Sequence, residues 1–294
     1  MGWGMLIAQI SDLHVSTADP DHKLVDTSET LRRVIDVLNT MRPRPDCVIA
    51  TGDLVDHGTD VEYRILFSIL ERLELPLYLL PGNHDNAPLL RMHLHMHGML
   101  RADEAGHLGT VIDTHDVRLV LVDTTDPTRH DGVFPEARAA WLDRVLQADT
   151  RPTLVAMHHP PFATGIWWMD VMGIERGGRT RFESVVRKHP HVRQIVSGHV
   201  HRSIARTWGV TMLTVCPSTA HQVGLSLGDD AAPTLTLEAP SFQLHRWSDD
   251  GFVTNTTPFD LPGVFDLRSQ VSDWEATKER LTRGGPFPKD EPLF

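Results

Sequence analysis

Long apolar runs are missing from this chain. No stretch approaches the roughly 18 consecutive apolar residues that a membrane-spanning helix needs, so a helical membrane protein is not expected. The opening MGWGMLIAQISDLH has no basic segment ahead of its apolar run and no small-residue cleavage site, and it reads as a first strand rather than a leader. Cysteine is scarce as well: Cys47 and Cys216 are the only two in 294 residues, too few for a disulfide framework. Cys47 opens an apolar run, a setting that suits a buried reduced thiol, and a cytoplasmic location is the expectation. Positive charge is in deficit, with 28 Lys and Arg against 39 Asp and Glu and a net charge of -11. Such a chain lacks the basic footprint that neutralises a phosphate backbone, so polymeric nucleic acid is not an expected partner.

What is present is an ordinary globular composition, 40% hydrophobic and 23% charged, of a length that suits one large domain with an appendage. Short apolar runs alternate with segments of helical period: MLIAQI then TLRRVIDVLNTM, CVIA then VEYRILFSILERL, LYLL then the stretch from Ala87 to His97. TVIDT and VRLVLVD read as a strand pair, followed by a helix with Pro135 at its first turn, and TLVAM and VRQIV flank the helix RFESVVRK. From Ser203 onward strands follow without helices: IARTW, VTMLTV, FQLHRW and FVTNTT. This pattern is α/β and can build two sheets packed face to face with helices outside. Residues 1–261 are read as this domain. The segment 262–294 has too little apolar periodicity for a domain and is a loosely ordered tail or an arm that packs on a partner subunit.

The ends of the apolar runs carry the chemistry. MLIAQI is followed by SDLH, CVIA by TGD, LYLL by PGNHD, TLVAM by HHPP and VRQIV by SGHVH. An extended backbone sends residues i and i+2 to the same side, so Asp12 with His14, and His199 with His201, are expected to project together. Gly52, Gly82 and Gly198 supply the tight turns that such ends require. One such pattern alone is weak, since Asp-x-His and His-His are frequent by chance. Five of them at five strand mouths, where open sheets assemble sites, are not.

In this order the motifs DxH, GD, GNHD, HHPP and GHxH resemble the calcineurin-like metallophosphoesterases, from about Met5 to His221. The GNHD and HHPP forms, TAHQ at 219–222 and PSFQLHRW are most similar to bacterial class III cyclic-nucleotide phosphodiesterases and the related glycerophosphodiesterases. The resemblance implies a four-layer αββα sandwich of two mixed β-sheets flanked by helices, with two metals at the strand ends. It implies Asp12, His14, Asp53 and His201 around the first metal, Asp53 as bridge, and Asn83, His158 and His199 around the second. It also implies a small phosphodiester as substrate, and homo-oligomers are frequent among the related enzymes.

The donor set agrees on chemical grounds. Two Asp, four His and one Asn without a thiolate suit Fe, Mn, Zn or Co better than an all-oxygen Ca or Mg site. A bridging carboxylate sets two ions roughly 3.5 to 4 Å apart, where a shared hydroxide can attack phosphorus in line. Two divalent ions, two aspartates, one hydroxide and one phosphodiester sum to zero charge, which mildly favours a diester over a monoester dianion.

Around this set, His84 is the candidate to protonate the leaving oxygen or bind the phosphate beside Asn83, and Asp85 to orient His84 or bind backbone. His159 reads as structural, while His221 matches a family histidine on the substrate side. The segment 163–178, ATGIWWMDVMGIERGG, is either an inserted loop or a lid in which Trp167 and Trp168 contact substrate, for instance by stacking on a nucleobase. His93, His95 and His97 read as surface histidines. The expected function is hydrolysis of small diesters, 3',5'-cyclic nucleotides first and glycerophosphodiesters second, ahead of phosphomonoesters or a non-catalytic interaction module.

Overall fold

A computed structural model describes residues 4–17, 25–100, 107–259, 266, 268 and 271–286. The chain forms two compact units, Met1–Phe259 and Asp260–Phe294. Most of the C-terminal tail, including 287–294, lies outside the described residues; within it one helix, Trp274–Thr282, is capped by the Asp273 carboxylate, which accepts from the Ala276 amide.

In the larger unit, β1 (Leu6–Ile10), β2 (Cys47–Thr51) and β3 (Leu77–Leu80) run parallel, with the antiparallel pair β12 (Ser241–Ser248) and β13 (Gly251–Pro258) added beside β1. The second sheet has parallel β5 (Arg118–Val122), β6 (Thr153–Met157), β7 (Val192–Ser197) and β9 (Thr211–Val215). Its antiparallel edges are β4 (Thr110–Ile112) and β8 (Ile204–Trp208). Both sheets are mixed, as expected.

The central strands read as unbroken apolar runs because both of their faces are buried. In β1 and β2, Ile7, Cys47 and Ile49 meet Leu119, Leu121, Leu154 and Val196 of the other sheet in an inner core. The alternate residues Ala8, Ile10, Val48 and Ala50 turn outward onto α1 (Thr27–Thr40) and α2 (Asp60–Leu70). On the far side Val120, Val122, Val155 and Ile195 face α4 (Glu136–Ala148) and α6 (Arg176–Val186). The period-2 alternation of each strand therefore builds the helix, sheet, sheet, helix layering.

Three helices begin at side-chain caps, Asp26 for α1, Thr59 in a capping box with Glu62 for α2, and Asn86 for α3 (Ala87–Met96). The expected surface histidines divide. His93 is buried beside Tyr63 and Phe67 with Nε2 2.9 Å from the Asp60 carboxylate, while His95 is exposed. The helical period puts His93, but not its i+2 neighbour, on the face against α2. Among the described residues no helix is long and apolar enough to cross a membrane.

Candidate dinuclear metal site

The ligand-type side chains gather where β1, β2, β3, β6 and β7 end, but not by strand alternation. Among the described residues five non-glycine residues have left-handed backbone, Asp12 (φ 53°), His14 (45°), Asp53 (47°), His199 (69°) and His201 (51°). All five belong to the expected ligand set. The strands stop at Ile10 and Ser197, and tight turns rather than extended chain aim these side chains inward. Left-handed backbone costs a β-carbon-bearing residue free energy, so five together mark a geometry that the surrounding fold imposes. Gly82 permits the closest approach: a β-carbon there would collide with the Asp53 amide and carboxylate.

Two groups of side chains result. His14 Nε2 and His201 Nε2 lie 3.2 Å apart, with Asp12 Oδ1 3.4 Å from His201 and Asp53 Oδ2 3.7 Å from His14. In the second group Asn83 Oδ1 lies 3.0 Å from His158 Nε2 and 2.9 Å from His199 Nδ1, and Asp53 Oδ1 lies 3.4 Å from His158 Nε2. Asp53 thus turns one carboxylate oxygen to each group. His199 and His201, two residues apart, divide between the groups.

Proton accounting gives the arrangement its meaning. His201 Nδ1 donates to the His221 carbonyl at 2.8 Å and His158 Nδ1 to the Thr51 carbonyl at 2.8 Å, because a carbonyl can only accept. His14 Nδ1 faces the Asp56 carboxylate at 3.1 Å in the same sense. In their neutral forms all three rings present a bare Nε2 lone pair to the cluster, two of them 3.2 Å apart with no proton between. Burial and the neighbouring imidazoles hold His199 and His201 well below the ordinary imidazole range, so protonation is not the remedy. His199 Nε2 is buried without a hydrogen-bond partner. Burial and the Asp53 charge push Asp12 well up, whereas His158, His14 and His84 outweigh burial and hold Asp53 low. Converging lone pairs beside carboxylates fit divalent cations, and all seven expected donors are in reach.

The neighbours have separable duties. His84 Nδ1 donates to the Asp56 carbonyl at 2.8 Å, leaving Nε2 as its remaining nitrogen, and its amide donates to Asp53 Oδ1 at 2.9 Å. Against burial, Asp53 and Asp56 hold the His84 imidazole above its usual range. Asp85 does not orient the His84 ring. Its carboxylate accepts from the Gly82 and Leu54 amides and from the Tyr63 hydroxyl, and burial with the Asp53 charge pushes it up to about 7. Both ring nitrogens of His159 are taken, by the Thr124 hydroxyl and the His130 carbonyl, which suits a structural role.

Over the cluster open two cavities that share Asp56, Asn83, His84 and His130. One, of about 560 Å³, is polar, with Asn86, Thr125 and Asp126 in its wall. The other, of about 570 Å³, contains His14, His199, His201 and His221 and rises to Trp168, Met169, Met172 and Leu235. Trp168 stands in that wall. Trp167, expected beside it, is absent from both linings: its indole N–H donates to the Ala231 carbonyl at 2.8 Å, tying α5 (Trp167–Val171) to the hairpin of β10 (Gln222–Val223) and β11 (Leu235–Thr236). Consecutive residues on a helix point about 100° apart, so only one of the pair can face the cluster. Sequence reasoning passed over Asp56 and His130. Asp56 follows Asp53 by three residues in GDLVD, a signal open to detection; His130 sits in a loop with no motif around it.

Residues 5–203 match the calcineurin-like phosphoesterase family. The chain is 34% identical over 256 residues to a probable glycerophosphodiester phosphodiesterase of Arcobacter nitrofigilis, covering 86% of this chain and 93% of that protein. It is 30% identical to a 3',5'-cyclic adenosine monophosphate phosphodiesterase of Pseudomonas aeruginosa, covering 84% and 87%. A dimetal phosphatase from Danio rerio shares the fold with a TM-score of 0.63 at 15% identity, over 88% of this chain and all of that one. The chain belongs to the calcineurin-like phosphoesterase family, metal-dependent hydrolases of phosphoric esters.

Proposed function

We propose that this phosphoric diester hydrolase acts on small linear phosphodiesters of the glycerophosphodiester type. Its relatives with phosphodiesterase names extend over most of their length, which makes diester hydrolysis the reaction class. We assign Asp12, His14, Asp53 and His201 to one divalent ion and Asp53, Asn83, His158 and His199 to a second, with Fe, Mn, Zn or Co suited to this donor set. The observation that carries the assignment is the pair of bare Nε2 atoms 3.2 Å apart beside a carboxylate that faces both groups. When bound, such ions supply positive charge to the phosphoryl oxygens and acidify water.

The chain's own groups do the rest. His84, held by Asp56 and raised above its usual range, donates its Nε2 proton to the departing alkoxide. Asn83 and His221 border the phosphate, and Trp168 packs on one substituent. Water is consumed, one P–O bond breaks, and an alcohol and a phosphomonoester leave. Two cavities meeting over Asn83 and His84 suit a phosphate with a substituent on each side, which puts linear diesters ahead of cyclic ones and reverses the order expected from sequence. A second reading keeps 3',5'-cyclic nucleotides, because Trp168 offers a face on which a base can stack. Side-by-side kcat/KM values of the metal-loaded protein on glycerophosphodiesters, cAMP, cGMP and 2',3'-cyclic nucleotides test the order. Faster cleavage of a cyclic nucleotide than of every linear diester would overturn it.

A further inference from the structure

The two cavities differ in kind. Beyond the cluster residues, the larger is walled by Trp168, Met169, Met172, Val223, Pro233 and Leu235; the Thr234 hydroxyl and the Trp168 indole are its polar groups. A nucleobase or sugar fixed there would leave most of its hydrogen-bonding edge unsatisfied, which costs free energy. The apolar character also continues outward. Leu235 is 48% exposed, and along the same hairpin Leu225, Leu227 and Leu237 are 62, 65 and 66% exposed. A methyl of Leu227 lies beside Gly165, next to α5. Isolated exposed leucines are ordinary, but a run of them leading from the mouth of an apolar cavity marks a binding surface. The polar cavity is lined by Asp56, Asp85 and Asp126, and neither cavity has a Lys or Arg in its wall.

We propose that the apolar cavity and its leucine-bearing hairpin hold an alkyl or aryl alcohol. The enzyme's substrates are then linear diesters with a single negative charge, one apolar arm, and a neutral or cationic alcohol in the acidic cavity. The inference rests on the reading of this cleft as a phosphodiesterase site. It adds that one arm is recognised by burial rather than by hydrogen bonds. A second phosphate or carboxylate on the substrate would meet three aspartates and no cationic side chain, so dinucleotides and phosphorylated alcohols are poor ligands.

Monoalkyl methylphosphonates from ethyl to octyl are non-hydrolysable, singly charged mimics, and their binding to the metal-loaded full chain is measured by calorimetry. Affinity should rise about two- to fourfold per methylene until the cavity is filled. Leu235→Asp should flatten that series; Met172→Gln, on another part of the wall, serves if the first variant does not fold. A congener with a carboxylate on the second alcohol should bind at least about tenfold more weakly. A flat series in the unmodified protein overturns the proposal, as does equal binding of the carboxylate congener. Turnover of methyl nitrophenyl phosphate is measured in parallel. Its absence would remove the phosphodiesterase reading, whereas turnover together with a flat series would remove this inference alone.

Discussion

The floor of the cleft and its walls are built differently. On the floor the turns after β1 and β2 are laced together: the amides of Asp12 and His14 donate to the carbonyls of Gly52 and Asp53, and the Asp56 amide to the Val15 carbonyl. The His199 amide donates to the Asp12 carboxylate, so even a donor side chain is held by backbone. The hairpin wall, by contrast, pairs only Gln222 with Thr236 and Val223 with Leu235, and borrows the Trp167 indole for a further bond. Reactive groups require placement within a fraction of an ångström, and substrate-contacting segments do not. The difference predicts that floor substitutions act on metal content and chemical rate, and wall substitutions on substrate preference.

The largest effect belongs to Asp53, whose two oxygens face the two groups. Asp53→Ala should lower diester hydrolysis by about 1000-fold or more, since the positive charge of both ions supplies several kcal/mol to the transition state. Elemental analysis should find both sites depleted. Full metal content with retained rate would break the division at its root.

Next comes His84, on the floor yet outside the ligand set. His84→Ala should keep both metals and lose roughly 100- to 10,000-fold on substrates with alkoxide leaving groups, and much less on a nitrophenyl diester whose phenolate departs without a proton. Rates on both substrates at matched metal occupancy decide it. Equal losses would make His84 a phosphate-binding group, and lost metal would put it among the ligands.

The floor was also the legible part. Buried strands write themselves as apolar runs, and the donor residues follow at once, so Asp12, His14, Asp53, Asn83, His158, His199 and His201 could be named before any coordinates. Their backbone could not: extended chain was expected at His199 and His201, and left-handed turns stand there instead. Composition reports that imidazoles are near one another, whereas φ depends on what the fold packs around the turn. The walls were nearly silent. Trp167 and Trp168 look alike in sequence, and only the phase of a five-residue helix separates them. Asp56 was overlooked because its role is exercised through His14 and His84 rather than through a motif of its own.

That role predicts an intermediate effect. Asp56→Ala removes the acceptor that holds the His14 tautomer, and such supporting contacts are typically worth about 10- to 100-fold in metal affinity or activity. The group containing His14 and His201 should weaken while that of His158 and His199 keeps its ion. Asp56→Asn, which retains an oxygen acceptor, should recover part of the loss. Metal titrations of the two variants read this directly, and equal weakening of both sites would mean that Asp56 supports the floor as a whole.

The smallest effect separates the two tryptophans. Trp168 contributes its face to the apolar cavity, so Trp168→Ala should raise KM for a diester with an aryl or alkyl arm by about tenfold, the equivalent of about 1.4 kcal/mol of lost packing. A methyl diester does not reach that wall and should be less affected. Trp167→Ala breaks one hydrogen bond to Ala231 at the surface, where the expected cost is about 1 kcal/mol of local stability, and KM should stay within about twofold. Because the residues are adjacent and chemically identical, any difference between the variants comes from orientation alone. Equal changes in KM would mean that the wall responds as one body, through the bond that ties α5 to the hairpin.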